Sequence, residues 1–194
     1  GHFNYNTIAR SVLNMVAAKL PTIPGLTRQP QKEVNDFTIN ASISNTDWMK
    51  YLLGIPLEIY SPLNISGELN DKHEKIDLWC DVPSFAYDGN RFSDAFVNIE
   101  SPNDTLKADI RIKKLADKGK YMSLQLSAGA SDNHLNTSLS FGNNERHPLK
   151  GVINASTVFA KNIDGVSTAY VDVLPSRATI GDTTWHVAPS TIVY

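Results

Sequence analysis

The chain has one cysteine, Cys80, in 194 residues, which excludes a disulfide framework and a thiolate metal cluster. Cys80 falls at an apolar position of a strand-like alternation and is read as core, where free cysteine ordinarily lies. No apolar run approaches the ~20 residues that carry a helix across a bilayer, and no secretory leader pattern is present. Charge of neither sign is in excess: 18 Lys and Arg stand against 20 Asp and Glu, for a net charge of −2. These charges are spread along the chain, so neither a nucleic-acid footprint nor a polybasic membrane patch is expected. The histidines, His2, His73, His134, His147 and His186, never fall at a ligand spacing such as H-x-x-x-H. There is no G-x-S-x-G elbow, Walker loop or Gly-rich dinucleotide fingerprint, so no metal, cofactor or catalytic centre is expected. Asp77 and Asp81 come nearest to a carboxylate pair, but like charges on the outer face of one strand ordinarily serve solubility.

What is present is alternation. Leu106, Ala108, Ile110 and Ile112 alternate with charged residues, and Met122, Leu124, Leu126, Ala128 and Ala130 alternate with Ser, Gln and Gly. A period of two means half-buried strands. The next run, Leu135, Thr137, Leu139 and Phe141, is joined through Asp132 and Asn133, residue types that tolerate the positive φ of a two-residue hairpin. Closing that hairpin sets Ala130 opposite Leu135, Ala128 opposite Thr137, Leu126 opposite Leu139 and Leu124 opposite Phe141. Both apolar sets then share one face, and a slip of one residue would destroy that agreement.

Taken in order, Ile8, Val12, Leu13, Val16, Ala17 and Leu20 recur at helical spacing after Asn6 and Thr7, the expected caps, until Pro21 stops the run. Residues 22–33 are Pro-rich and aperiodic, a linker expected to let this helix dock at a variable angle. The chain therefore divides into residues 1–33, helix and linker, and 34–194, a β segment. A strand over Phe37–Ile43 leads to a short helical turn, Asp47–Leu53, capped by Thr46 or Asp47 and stopped by Gly54. Further strands follow to the end, with turn centres near residues 72, 89, 102, 117, 132, 146 and 163. Their even spacing predicts an antiparallel meander paired in sequence order, with Pro56, Pro62 and Pro83 at strand ends. Gly1 in place of an initiator Met, and an end at Tyr194 within a strand-like run, suggest an excised piece of a longer protein.

Area narrows the architecture. About nine strands, ~4.8 Å apart and ~30 Å long, present an apolar face near ~1300 Å², whereas the helix covers ~200 Å². Either the sheet closes on itself as a sandwich or barrel, or part of its face stays open as a groove. The inward positions expected to line such a face are Leu69, Leu78, Ile110, Ile112, Leu124, Leu126, Leu139, Val171 and Val173.

Two rival functions have their own residues. Trp48, Trp79 and Trp185 raise a secreted carbohydrate-binding β-sandwich, with Trp79 on a polar face as its best stacking residue, although tryptophan more often packs under loops or at edges. A secreted hydrolase would rest on Asp77 and Asp81. The N-x-S/T sequons at Asn40, Asn64, Asn103, Asn136 and Asn154 fall mostly where polar residues alternate, and are read as polar strand faces.

Four stretches, DWMKYLLGIPLEIYSPLNISGELND, PSFAYDGNRFSDAFVNIESPNDTL, DNHLNTSLSFGNN and TTWHVAPSTIVY, resemble the periplasmic repeats of the TamB family, the AsmA-like translocation and assembly module proteins. The resemblance covers about Val34 to Tyr194. It implies a long, strongly curved antiparallel β-meander, a β-taco whose concave face is an apolar groove. It also implies a non-catalytic role in outer-membrane biogenesis, by phospholipid transport or outer-membrane protein assembly, within a periplasmic protein anchored in the inner membrane. Implied partners are phospholipid acyl chains along the inward positions and an outer-membrane assembly protein. Of the two architectures left open by area, the resemblance favours the open groove.

Overall fold

The computed structural model describes the backbone of residues 1–194 and the side chains of all but 5, 52 and 53. Helix α1 (Tyr5–Lys19) precedes strand β1 (Asp36–Ile43) and helix α2 (Asp47–Leu53). Then come β2 (Leu57–Ile59), β3 (Leu63–Asn70), β4 (Lys75–Tyr87), β5 (Asn90–Glu100) and β6 (Leu106–Leu115). After them run β7 (Tyr121–Ser131), β8 (His134–Asn143), β9 (Leu149–Lys161), β10 (Ser167–Val173), β11 (Ser176–Ile180), β12 (Thr183–Val187) and β13 (Ser190–Val193). All strands join one 13-stranded antiparallel sheet whose path runs β1-β3-β4-β5-β6-β7-β8-β9-β10-β13. The two ends of that path do not pair, so the sheet is open.

Three apparent departures from sequence order are breaks within single runs of chain. Strand β9 pairs with β10 along Ala155–Lys161 and with β11 along Leu149–Val152, so β10 and β11 together form one row. Strands β12 and β13 repeat this on the outside, and their partner numbers in β11 and β10 sum to the same constant, so Ala188 and Pro189 interrupt one strand without shifting its register. At the other margin, β2 and β3 both pair with β4, one along Phe85–Tyr87 and the other along Lys75–Asp81. Pro83 sits between those two partners, inside β4 and not at a strand end as expected. Across from it, β5 carries a register break between Ser93 and Phe96, and Asp94 within that break has φ 51°. The interruption on both sides is what lets a proline, which lacks the N–H, occupy a strand interior.

The hairpin drawn from Asp132 and Asn133 is present as expected: Ala130 pairs with Leu135, Ala128 with Thr137, Leu126 with Leu139 and Leu124 with Phe141. Asp132 (φ 47°) and Asn133 (φ 62°) supply the two left-handed residues of a primed turn.

Helix α1 starts earlier than its sequence suggests, because the Asn4 side chain accepts the Asn6 N–H at 3.0 Å and caps it. Its buried face carries Ser11, Met15, Ala17 and Leu20, while Leu13, expected on that face, points to solvent. Two apolar clusters hold it to the sheet. Met15 packs with Leu69 and Ile76 and is flanked by Ile8, Val12, Phe37, Leu78, Ile99 and Leu106. Leu20 packs with Ala130, Phe159 and Ala169, flanked by Val16, Ile23, Leu106, Leu135 and Val171. Together these residues reach from β1 to β10. A helix of 15 residues is ~22 Å long, whereas the nine strands from β1 to β10 laid flat span ~38 Å. One short helix can meet both β1 and β10 only if the sheet curls around it, so the apolar face is the concave one.

The segment after α1, expected to permit variable docking, is tied down. Asp71 Oδ2 accepts from Ser11 Oγ at 2.9 Å, Gln31 Nε2 at 3.0 Å and the Asn35 N–H at 2.5 Å. The buried Asn35 amide donates to Thr7 Oγ1 at 3.0 Å and Ser11 Oγ at 2.9 Å, and its oxygen accepts the Asn4 N–H at 2.8 Å. At the other end of the helix, Asn133 Oδ1 accepts both the Thr22 N–H and the Thr22 hydroxyl at 2.9 Å.

Candidate functional site, an open apolar face

The strand registers place apolar residues in rows that run across the sheet. In one row Ala41, Ile65, Cys80, Val97, Ile110, Leu126, Leu139 and Ile153 face one another in turn from β1 to β9. The next row, farther from α1, runs Ile112, Leu124, Phe141, Gly151, Ala178 and Trp185. Gly151 is required there, since a Cβ would lie 2.6 Å from the Phe141 ring and 2.7 Å from the Arg177 carbonyl oxygen.

Depth along the strands divides the expected lining residues. Leu69 is only 4% exposed beneath Met15 and therefore belongs to the helix contact, offering no free surface. Leu78 and Val171 flank the two helix clusters and lie at the boundary. Beyond the helix the face opens: Ile110 is 36% exposed and Leu124 45%. Ile112, Leu126, Leu139 and Val173 are half-buried. Ile153, not among the expected residues, is 42% exposed in the same row as Leu126 and Leu139. Its place in the alternation Ile153, Ala155, Thr157, Phe159 was the signal that could have found it. Trp185 closes the outer row, where its partner across the ladder is Ala178.

Cys80 is half-buried within this face and not in the sealed core. Burial pushes its thiol pKa up, and the neighbouring Asp81 carboxylate adds to the shift. The thiol is thus held protonated and unreactive.

The opposite face is polar. Trp79 meets Phe96 edge-on at 6.2 Å between centroids, and the Arg111 guanidinium covers the Phe96 ring at 4.3 Å. Lys113 pairs with Asp94 at 2.7 Å, and that hydrogen bond raises the lysine pKa. Beside them a recess of about 580 Å³ is lined by Asp81, Asp94, Arg111, Lys113, Gln125 and Ser140, among others. The tryptophans are not brought together: Trp48 is in α2, Trp79 on the polar face of β4, and Trp185 on the apolar face at the far margin. Asp77 and Asp81, four residues apart in β4, are separated along the strand by ~13 Å, more than the ~9.5 Å upper limit of a glycosidase pair. Among the described residues, no three His, Cys, Asp or Glu side chains form a group that could hold a metal ion. Among the described residues, no helix is long and apolar enough to cross a membrane.

No protein-family model matches the chain, and no curated protein and no solved structure is similar enough to match it.

Proposed function

We propose that this chain is a non-catalytic segment of a periplasmic bridge, part of a protein anchored in the inner membrane, which serves outer-membrane biogenesis by offering phospholipid acyl chains an apolar path. The carrying observation is the pair of apolar rows that cross the concave face and stay exposed beyond α1, at Ile110, Leu124 and Ile153. A closed sandwich would cover such rows with a second sheet, whereas here one open sheet holds every strand. Uncovered apolar area favours a greasy occupant: at about 25 cal/mol per Å², each ~200 Å² of it offers ~5 kcal/mol before ordering costs. The half-buried lining residues Ile112, Leu126, Leu139 and Val173 would contact the chains together with the exposed ones. The same bridge would meet an outer-membrane assembly partner, through surfaces the groove does not define.

The test is photo-crosslinking in cells. A photoreactive residue at Leu126 is expected to give lipid adducts, and one at Gln125, on the polar face of the same strand, none. No adduct at either position would remove the lipid reading for this segment. The rival carbohydrate reading rests on exposed Trp79, and loss of polysaccharide binding in Trp79→Ala on a glycan array would favour it instead.

A further inference from the structure

We propose that the mouth of the groove, at the end of the strands away from α1, binds the phosphate-bearing headgroup of an anionic phospholipid whose acyl chains lie on the apolar face. The proposal rests on reading that face as an acyl surface and adds which lipid it selects. Basic residues dispersed in sequence converge there. The loops β6–β7 and β8–β9 are joined by the Asn144 side chain, which donates to the Gly119 carbonyl oxygen at 2.9 Å and accepts the Tyr121 N–H at 2.8 Å. Lys120 pairs with Glu145 across the same junction at 2.6 Å.

Residues 113–121 and 143–150 carry Lys113, Lys114, Lys118, Lys120, Arg146 and Lys150 against only Asp117 and Glu145, although the chain as a whole has a net charge of −2. Lys113 and Lys120 are neutralised by Asp94 and Glu145. Lys114, Lys118 and Arg146 form no ion pair among the described residues, whereas Lys150 shares the row of Lys113, Ser123 and Gly142 on the polar face and is left out of the headgroup site. A cluster of unpaired cations attracts a phosphodiester whose charge no ammonium of its own offsets, which selects an anionic over a zwitterionic lipid.

Lys114 joins this mouth to the apolar floor. In the unbroken β6–β7 register it shares the face of Ile110 and Ile112, and it lies opposite Met122, two residues from Leu124. Its methylene stem extends the apolar row while its ammonium reaches water. From Ala108 to Lys114 the strand rises ~20 Å. One leaflet of a ~30 Å hydrocarbon core is ~15 Å deep, so an acyl chain lying along the strand would bring its headgroup to Lys114.

The experiment incubates the chain with vesicles of phosphatidylglycerol or of phosphatidylcholine, separates it from them and counts extracted lipid by native mass spectrometry. Phosphatidylglycerol is expected to load at least about tenfold better, and Lys114→Gln/Lys118→Gln/Arg146→Gln to abolish that preference while phosphatidylcholine loading is unchanged. The pair Lys72→Gln/Lys161→Gln, at the helix end, is expected to leave it intact. Circular dichroism establishes that each variant is folded. Equal loading of the two lipids by the wild type would overturn the headgroup proposal and leave the acyl surface standing, whereas no extraction of either lipid would overturn both. Sedimentation with phosphatidylglycerol vesicles without extraction would mean a membrane-surface contact and refute groove occupancy. Inorganic phosphate that binds the lipid-free chain as tightly as phosphatidylglycerol does would mean a free-anion site and refute it too.

Discussion

Truncating two leucines, Leu20→Ala at the end of α1 where the helix covers the concave face and Leu124→Ala on that face beyond the helix, measures how much of the face is sealed. Leu20, at 2% exposed, is enclosed by Ala130, Phe159 and Ala169, with Val16, Ile23 and Leu135 around them. Helix and sheet residues both border it, so collapse around the lost methyl groups is restricted and the cost should be about 3 kcal/mol or more. Leu124 already shows 45% of its surface to solvent. Removing it forfeits about half of a leucine's burial and leaves no enclosed cavity, so the cost should be ~1 kcal/mol. For a chain of this size each kcal/mol moves Tm by about 2–4 °C, which predicts a drop of ~6–12 °C for Leu20→Ala and ~2–4 °C for Leu124→Ala. Urea unfolding monitored by circular dichroism gives the same comparison as midpoint shifts at constant m-value. Equal losses at the two sites would refute the reasoning, because Leu124 would then be as enclosed as Leu20 and the groove would not be open there.

Asp71→Ala strands the Asn35 N–H and removes the acceptor shared by Ser11 and Gln31, so it is expected to cost ~2–4 kcal/mol and to raise hydrogen exchange along α1; unchanged protection of the helix amides would show that Asp71 does not hold it. Asn133→Gly keeps a residue suited to φ 62° but deletes the acceptor of both Thr22 hydrogen bonds; a loss of ~1–2 kcal/mol in urea unfolding is expected, and a variant as stable as the wild type would confine Asn133 to its turn. Because the Cys80 thiol pKa is raised in the fold above 9.0, the stability this group contributes is complete below that pH and fades as pH rises through the folded value. The difference in urea midpoint between wild type and Cys80→Ala should change in that alkaline window and nowhere else, and rapid alkylation of the native thiol at neutral pH would contradict the assignment.

The strands, their faces and much of their pairing were legible in the sequence because a period of two is a local property: Leu124, Leu126, Ala128 and Ala130 report one face wherever the strand lies in the sheet. The Asp132–Asn133 turn then converted local periodicity into register, since a two-residue loop leaves only one way to close. Helix α1 was legible too, but its phase was less so. Ser11 lies at the centre of its buried face because Asp71 and Asn35, distant in sequence, satisfy its hydroxyl, and no hydropathy pattern announces a polar core position. Pro83 misled for the same reason, as its tolerance depends on the gap between β2 and β3 and on the break at Asp94 in the neighbouring strand. Whether the apolar face was closed or open could not be decided by alternation at all, because a sandwich core and a groove have the same pattern. Only the tertiary structure decided it, by curling one open sheet around a short helix so that Leu69 is sealed while Leu124, on the same face farther along the strands, is not. Folding likewise gathered Lys114, Lys118 and Arg146 at one mouth, since charges that look evenly spread along a chain become a patch once a meander brings its alternate turns to the same end.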